Sequence, residues 1–124
     1  MSNSLMNILM VSGGGAIGAA LRYLMTLFAT SLSLTSLPLG TFAVNIIGSF
    51  LIGLFFPLVK SSQSLQLFLI TGLLGGFTTF SAFSLENLML LEAGKYWSFL
   101  CYALASVLLG LVFAYLGYKL SISA

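Results

Sequence analysis

Four apolar runs, separated by connections of only a few residues, take up nearly the whole sequence. They cover about residues 5–29, 40–59, 65–91 and 96–120. Each meets the roughly 20 residues that a helix needs to cross the hydrocarbon core of a bilayer. Lipid satisfies no backbone donor or acceptor, so spanning segments of this length close their hydrogen bonds internally as helices. The expected fold is an all-α membrane protein, a single four-span transmembrane domain over residues 1–124. With 5% charged residues, a soluble domain of this size would lack the polar side chains to cover its surface.

The connections exclude most other functions. Residues 30–37 are rich in Ser and Thr, 60–64 are polar, and 92–95 read as a tight turn. None can hold an enzyme site, and the chain has no His and no nucleophile–base pair. An enzyme is therefore not expected. The formal charge of +2 forms no basic patch, so nucleic acid is not an expected partner. Cys101 is the single cysteine and lies in an apolar run, which reads as a buried, inert thiol. The first seven residues carry no Lys or Arg, so the first run is read as a retained span rather than a cleaved signal.

The charges that set orientation are balanced. Four spans put Lys60 and Lys119 on one side of the membrane, with Lys95 and Arg22 toward the other. The positive-inside rule has nothing to act on. Either the chain inserts in both orientations and pairs antiparallel with itself, or a partner or local sequence enforces one orientation. Small residues are spaced for close helix contact at Gly14 and Gly18, at Gly72 and Gly76, and along Ser106, Gly110 and Ala114.

The third run contains Gly75-Gly76-Phe77-Thr78-Thr79-Phe80-Ser81-Ala82-Phe83-Ser84. Paired glycines and threonines weaken a helix, so the third span is expected to break near residues 75–79. Irregular backbone at that depth survives only within protein or beside a cavity. The break would leave carbonyls without helical partners, and a hard cation such as sodium is one remedy. Phe80 and Phe83 are three apart and project from one helix face. Their positive ring edges can contact a dehydrating anion, and Thr79, Ser81 and Ser84 interleave hydroxyls with them. Core packing is the alternative use of the two rings.

Thr41, Asn45 and Ser49 form a polar stripe on the second span. The stripe serves either interhelical hydrogen bonding or donation to an anion, for which the Asn45 amide offers two N–H groups. Arg22 is a charge within the first span, a placement that costs about 2.5–3.5 kcal/mol on insertion scales. It either snorkels to the interface or provides an electropositive mouth. Glu86 lies one turn beyond Phe83 and is expected to pair with a cation or a backbone donor.

Three segments in order resemble the small bacterial fluoride channels of the CrcB or Fluc family. They are Gly14-Gly15-Ala16-Ile17-Gly18-Ala19-Ala20-Leu21-Arg22-Tyr23, Gly40-Thr41-Phe42-Ala43-Val44-Asn45-Ile46-Ile47-Gly48-Ser49-Phe50, and residues 72–86 with their GGFTTFSAFS core. The resemblance implies an antiparallel, dual-topology dimer in the cytoplasmic (inner) membrane that exports fluoride passively through two pores. It implies that Phe80 and Phe83 line the fluoride path with Asn45 beside them. Arg22 would sit at a vestibule and Glu86 at the pore's end. Gly75 and Thr78 would offer backbone carbonyls to a structural sodium ion that is not transported. Fluoride ion, membrane lipid and a second subunit are the implied partners.

Two positions depart from the family pattern. Ala82 stands where Thr is common, and Gly110 and Ala114 interrupt the usual hydroxyl track of the fourth span. The interruption keeps a second reading open, a non-conducting or half-active subunit that forms a heterodimer with a sister chain. A third reading, a proton-coupled small-molecule exporter, needs a membrane-embedded carboxylate. Here the first span has none, and Glu86 and Glu92 come late.

Overall fold

The computed structural model describes residues 3–32 and 37–124. Helix α1 runs Asn3–Ser31 and α2 runs Leu39–Val59. The third span starts with a single turn, α3 (Gln63–Leu65), and continues as a π-helical run, Gln66–Leu74. It closes its upper half with the short α4 (Gly75–Phe77) and resumes as α5 (Phe80–Glu92). Helix α6 runs Tyr96–Ser123. Among the described residues, four helical segments are thus long and apolar enough to cross a membrane. The protein is a multi-pass membrane protein. Part of the first connection, residues 33–36, lies outside the described residues.

The third span is interrupted as expected, but at the threonines and not at the glycines. Thr78 (φ −82°, ψ 158°) and Thr79 (φ −151°, ψ 114°) are extended, whereas Gly75 and Gly76 remain helical. β-branched side chains tolerate extended backbone well. Thr79 then starts α5 as its N-cap, its Oγ1 accepting from Ala82 N at 3.1 Å. Thr78 Oγ1 donates back to Leu74 O at 2.8 Å and terminates α4. The π-helical run has no counterpart in the residue pattern.

The glycines serve another purpose. Gly14 and Gly18 of α1 face Gly72 and Gly76 of the third span. A Cβ on Gly18 would run into the Leu73 carbonyl, and one on Gly76 would lie 2.5 Å from Gly15 O. The α1 backbone therefore lies against that of the third span. A second seam joins α2 to α6, where a Cβ on Gly53 would meet the Ala114 carbonyl and one on Gly117 the Phe50 carbonyl. On this seam Ala114 offers its backbone, and the intimate contacts belong to Gly53 and Gly117.

The enclosed core is small. Val44, Leu74 and Phe77 are buried on α2 and on the third span. Most large apolar side chains of α1, α5 and α6 point outward. Cys101 is exposed on α6, not buried as its apolar surroundings suggested. Apolar neighbours in sequence place a thiol in a spanning helix, but they do not separate the packed face of that helix from its outer one.

Candidate functional site

The break is held open by side chains from two other helices. Asn45 of α2 sits opposite Thr79. Its Oδ1 accepts from Thr79 N at 2.8 Å, and its Nδ2 donates to Thr79 O at 3.1 Å. Arg22 of α1 reaches the other side of the break, where its Nε donates to Gly76 O at 3.0 Å. Neither snorkelling nor a charged mouth anticipated this contact, because it depends on α1 lying against the third span along the glycine seam.

These bonds divide the carbonyls of the break into two sets. The Gly76 and Thr79 carbonyls receive side-chain donors from Arg22 and Asn45. In an unbroken helix the Gly75 carbonyl would accept from Thr79 N, and the Thr78 carbonyl from Ala82 N. Here Thr79 N goes to Asn45 and Ala82 N to Thr79 Oγ1. The carbonyls of Gly75 and Thr78 thereby lose their helical donors. Both residues line a cavity of about 290 Å³ between α2 and the third span, with Asn45, Ser49, Thr79 and Phe80. No cluster of three or more His, Cys, Asp or Glu exists among the described residues, so a cation here would meet neutral oxygens.

A second cavity of about 370 Å³ lies on the α1 side, lined by Arg22, Thr26, Thr41, Thr79 and Glu86 among others. Thr79 borders both hollows. Glu86 pairs with hydroxyls rather than with a cation or a backbone donor. Thr41 Oγ1 donates to its Oε1, and Tyr102 Oη donates to its Oε2 at 2.8 Å. The carboxylate accepts from two helices at once, a charge-assisted arrangement that a low-dielectric interior strengthens. Tyr102 was missed from the sequence because its partner is 16 residues away across a turn.

The aromatic pair is real and longer than two. Phe80 and Phe83 have ring centroids 5.6 Å apart and tilted. Phe83 continues to Tyr102 at 5.3 Å, and Tyr102 to Phe42 at 6.4 Å. Phe80 ends the row 78% exposed on the single chain, so its ring is free to meet something outside the protomer. Ser81 and Ser84 share that exposed side. Thr79 Oγ1 and Ser81 Oγ lie 3.2 Å apart.

Of the polar stripe on α2, Thr41 and Asn45 cross to the third span, while Ser49 Oγ donates to its own helix at Asn45 O, 2.7 Å away. On α6, Ser106 Oγ is buried without a partner, and a Cβ at Gly110 would lie 3.5 Å from Ser49 Oγ. The position that lacks a hydroxyl therefore faces the lower end of the stripe.

Residues 9–118 match the model of a family described as CrcB-like protein, Camphor Resistance (CrcB). The chain is 45% identical over 118 residues to a protein of Phocaeicola vulgatus named Fluoride-specific ion channel FluC, covering 93% of this chain and 98% of that one. Proteins of the same name from Agrobacterium fabrum (45% over 120 residues, 94% and 96% covered) and Aquifex aeolicus (44% over 114 residues, 89% and 92% covered) are similarly close.

Proposed function

This chain belongs to the CrcB-like family, and from that premise we propose that it is a fluoride-specific channel that passively lowers intracellular fluoride across the cytoplasmic membrane. The observation that carries the reading is the row of rings beginning at exposed Phe80, beside a helix break whose surroundings are neutral and polar. Fluoride is strongly hydrated, so a path must replace its water without binding it tightly. Ring edges at Phe80 and Phe83, hydroxyls at Thr79, Ser81 and Ser84, and the remaining N–H of Asn45 offer weak successive contacts. Thr41 belongs to the same path through Glu86, whose carboxylate is tied by two hydroxyls near the pore's end. Arg22 borders the α1-side hollow as its nearest cation.

The exposure of Phe80 and the open cavity beside it support a second copy of the chain seated against the break, in an antiparallel homodimer. The donor set fits a structural sodium ion there: the carbonyls of Gly75 and Thr78, robbed of helical donors, are the residues that would hold it. Bound sodium supplies compensating charge to those carbonyls and is not transported.

The test is fluoride efflux from liposomes that hold this polypeptide alone. Rapid efflux, abolished by Phe80→Ile together with Phe83→Ile, is expected. Efflux equal to that of protein-free liposomes overturns the homodimeric channel. A second reading, a half-active subunit completed by a sister chain, is favoured by Gly110 and by the unpartnered Ser106 hydroxyl. Efflux only after a sister chain is added supports it. The proton-coupled exporter is disfavoured because Glu86 is engaged by Thr41 and Tyr102.

A further inference from the structure

We propose that Arg22 is a positioning residue for the break, acting through the hydrogen bond to Gly76 and not through its charge on a passing anion. The inference rests on the cation reading of the preceding subsection and adds to it which side chain on α1 shapes the site. The last carbonyls of α4 would otherwise compete for any donor or cation within reach. Arg22 Nε takes the Gly76 carbonyl at 3.0 Å, as Asn45 Nδ2 takes that of Thr79. What is left facing the cavity between α2 and the third span is the pair Gly75 and Thr78. The selection is made from two sides: Arg22 on α1 occupies the Gly76 carbonyl, and Asn45 on α2 draws Thr79 N away from that of Gly75. The α1 donor is fixed in depth because Gly18, one turn before it, lies against the Leu73 carbonyl. Arg22 also lines the cavity on the α1 side, so its Nε bond and its charge have to be separated by substitution.

The two roles separate by chemistry. In Arg22→Gln the side-chain nitrogen occupies the same place along the chain as Arg Nε, so the N–H survives while the charge goes. In Arg22→Met the shape is similar, with neither donor nor charge. The readout is the thermal midpoint of the purified full-length protein in detergent, titrated with sodium chloride against choline chloride at constant ionic strength. A ligand that binds only the folded state raises that midpoint by mass action. The wild type and Arg22→Gln are expected to show half-maximal sodium effects within about threefold of each other, and Arg22→Met to need at least about tenfold more sodium.

Equal displacement of Gln and Met overturns the inference in favour of charge, and no displacement of either overturns it outright. Arg22→Lys, which keeps the charge and moves the donor by one atom, serves if Arg22→Met does not fold. Lys matching the wild type while Gln fails to do so also overturns it. A wild type that conducts fluoride but shows no sodium-dependent midpoint defeats the cation reading itself, and the role of Arg22 toward it falls as well. A wild type that responds to sodium yet passes no fluoride leaves the positioning role standing and defeats the channel alone.

Discussion

Asn45 and Thr79 exchange two hydrogen bonds, the side-chain amide of one mimicking a neighbouring strand for the extended main chain of the other. Thr79 N, which an unbroken helix would have paired with Gly75 O, is thus satisfied from α2, and Thr79 O gains a side-chain donor beside its α5 partner. Inside a bilayer they have no water to fall back on. The break is therefore a feature of α2 as much as of the third span.

Asn45→Leu is expected to strand Thr79 N, while Thr79 O keeps its place as the first acceptor of α5. An unsatisfied buried donor costs about 1–3 kcal/mol, and Thr79 N is exposed to that cost. Thermal unfolding in detergent should move down by several degrees, and fluoride efflux should be lost. Asn45→Asp keeps the acceptor for Thr79 N but removes the donor for Thr79 O, so it should fall between the two. An unchanged melting temperature in Asn45→Leu would show that the break stands without its latch.

The ring row predicts a separation of function from stability. Phe80 is largely exposed on the protomer, so Phe80→Ile should fold normally. It should also slow efflux by at least about tenfold, because isoleucine has no positive ring edge to offer the anion. Phe83 lies between Phe80 and Tyr102, so Phe83→Ile should both slow efflux and lower the melting point. Fluoride-electrode traces paired with melting curves distinguish the two patterns.

Tyr102→Phe keeps the ring contacts with Phe83 and Phe42 and removes one of the two donors to Glu86. A hydrogen bond to a charged group contributes about 1.5–3 kcal/mol, so the carboxylate should become mobile. The expected result is a folded channel with altered efflux, and a double variant with Thr41→Val should be non-additive because both hydroxyls serve one carboxylate. Simple additivity would separate Thr41 and Tyr102 functionally.

Gly18→Ala places a methyl group against the Leu73 carbonyl. Overpacking of this kind costs about 1–3 kcal/mol, and it should push α1, with Arg22, away from the break. Gly110→Ser is the contrasting case, since a Cβ there meets Ser49 Oγ only at an ordinary 3.5 Å. It should fold at least as well as the wild type, and if the missing hydroxyl limits conduction, efflux should rise. A fall in the melting point of Gly110→Ser and none in Gly18→Ala would reverse the assignment of Gly18 to a tight contact and Gly110 to a loose one.

The balance of Lys60 and Lys119 against Lys95 and Arg22 predicts that a C-terminal tag is found on both faces of the membrane. Protease accessibility in inside-out and right-side-out vesicles checks this, and protection in one vesicle type alone would leave the chain with a single orientation.

The spans were legible because their lengths are dictated by the bilayer and their ends by a handful of polar residues. The interruption of the third span was legible to within residues 75–79, and its place inside that range depended on a partner. Paired glycines and paired threonines both mark weak points there, and Asn45 draws the extended conformation onto Thr79. Arg22 and Glu86 were visible as charges in lipid, yet their partners lie 54 residues away at Gly76 and 45 away at Thr41, beyond any local pattern. The exposure of Cys101 and the narrow seam through Gly53 and Gly117 depend on how α6 is rotated against α2, which uniformly apolar helices leave unmarked.

Thr79 forms part of the wall of the two cavities that flank the break. A substitution there cannot retune one chamber and spare the other. A change at Thr79 that suits one cavity is inherited at once by the other, so the two drift together through sequence space.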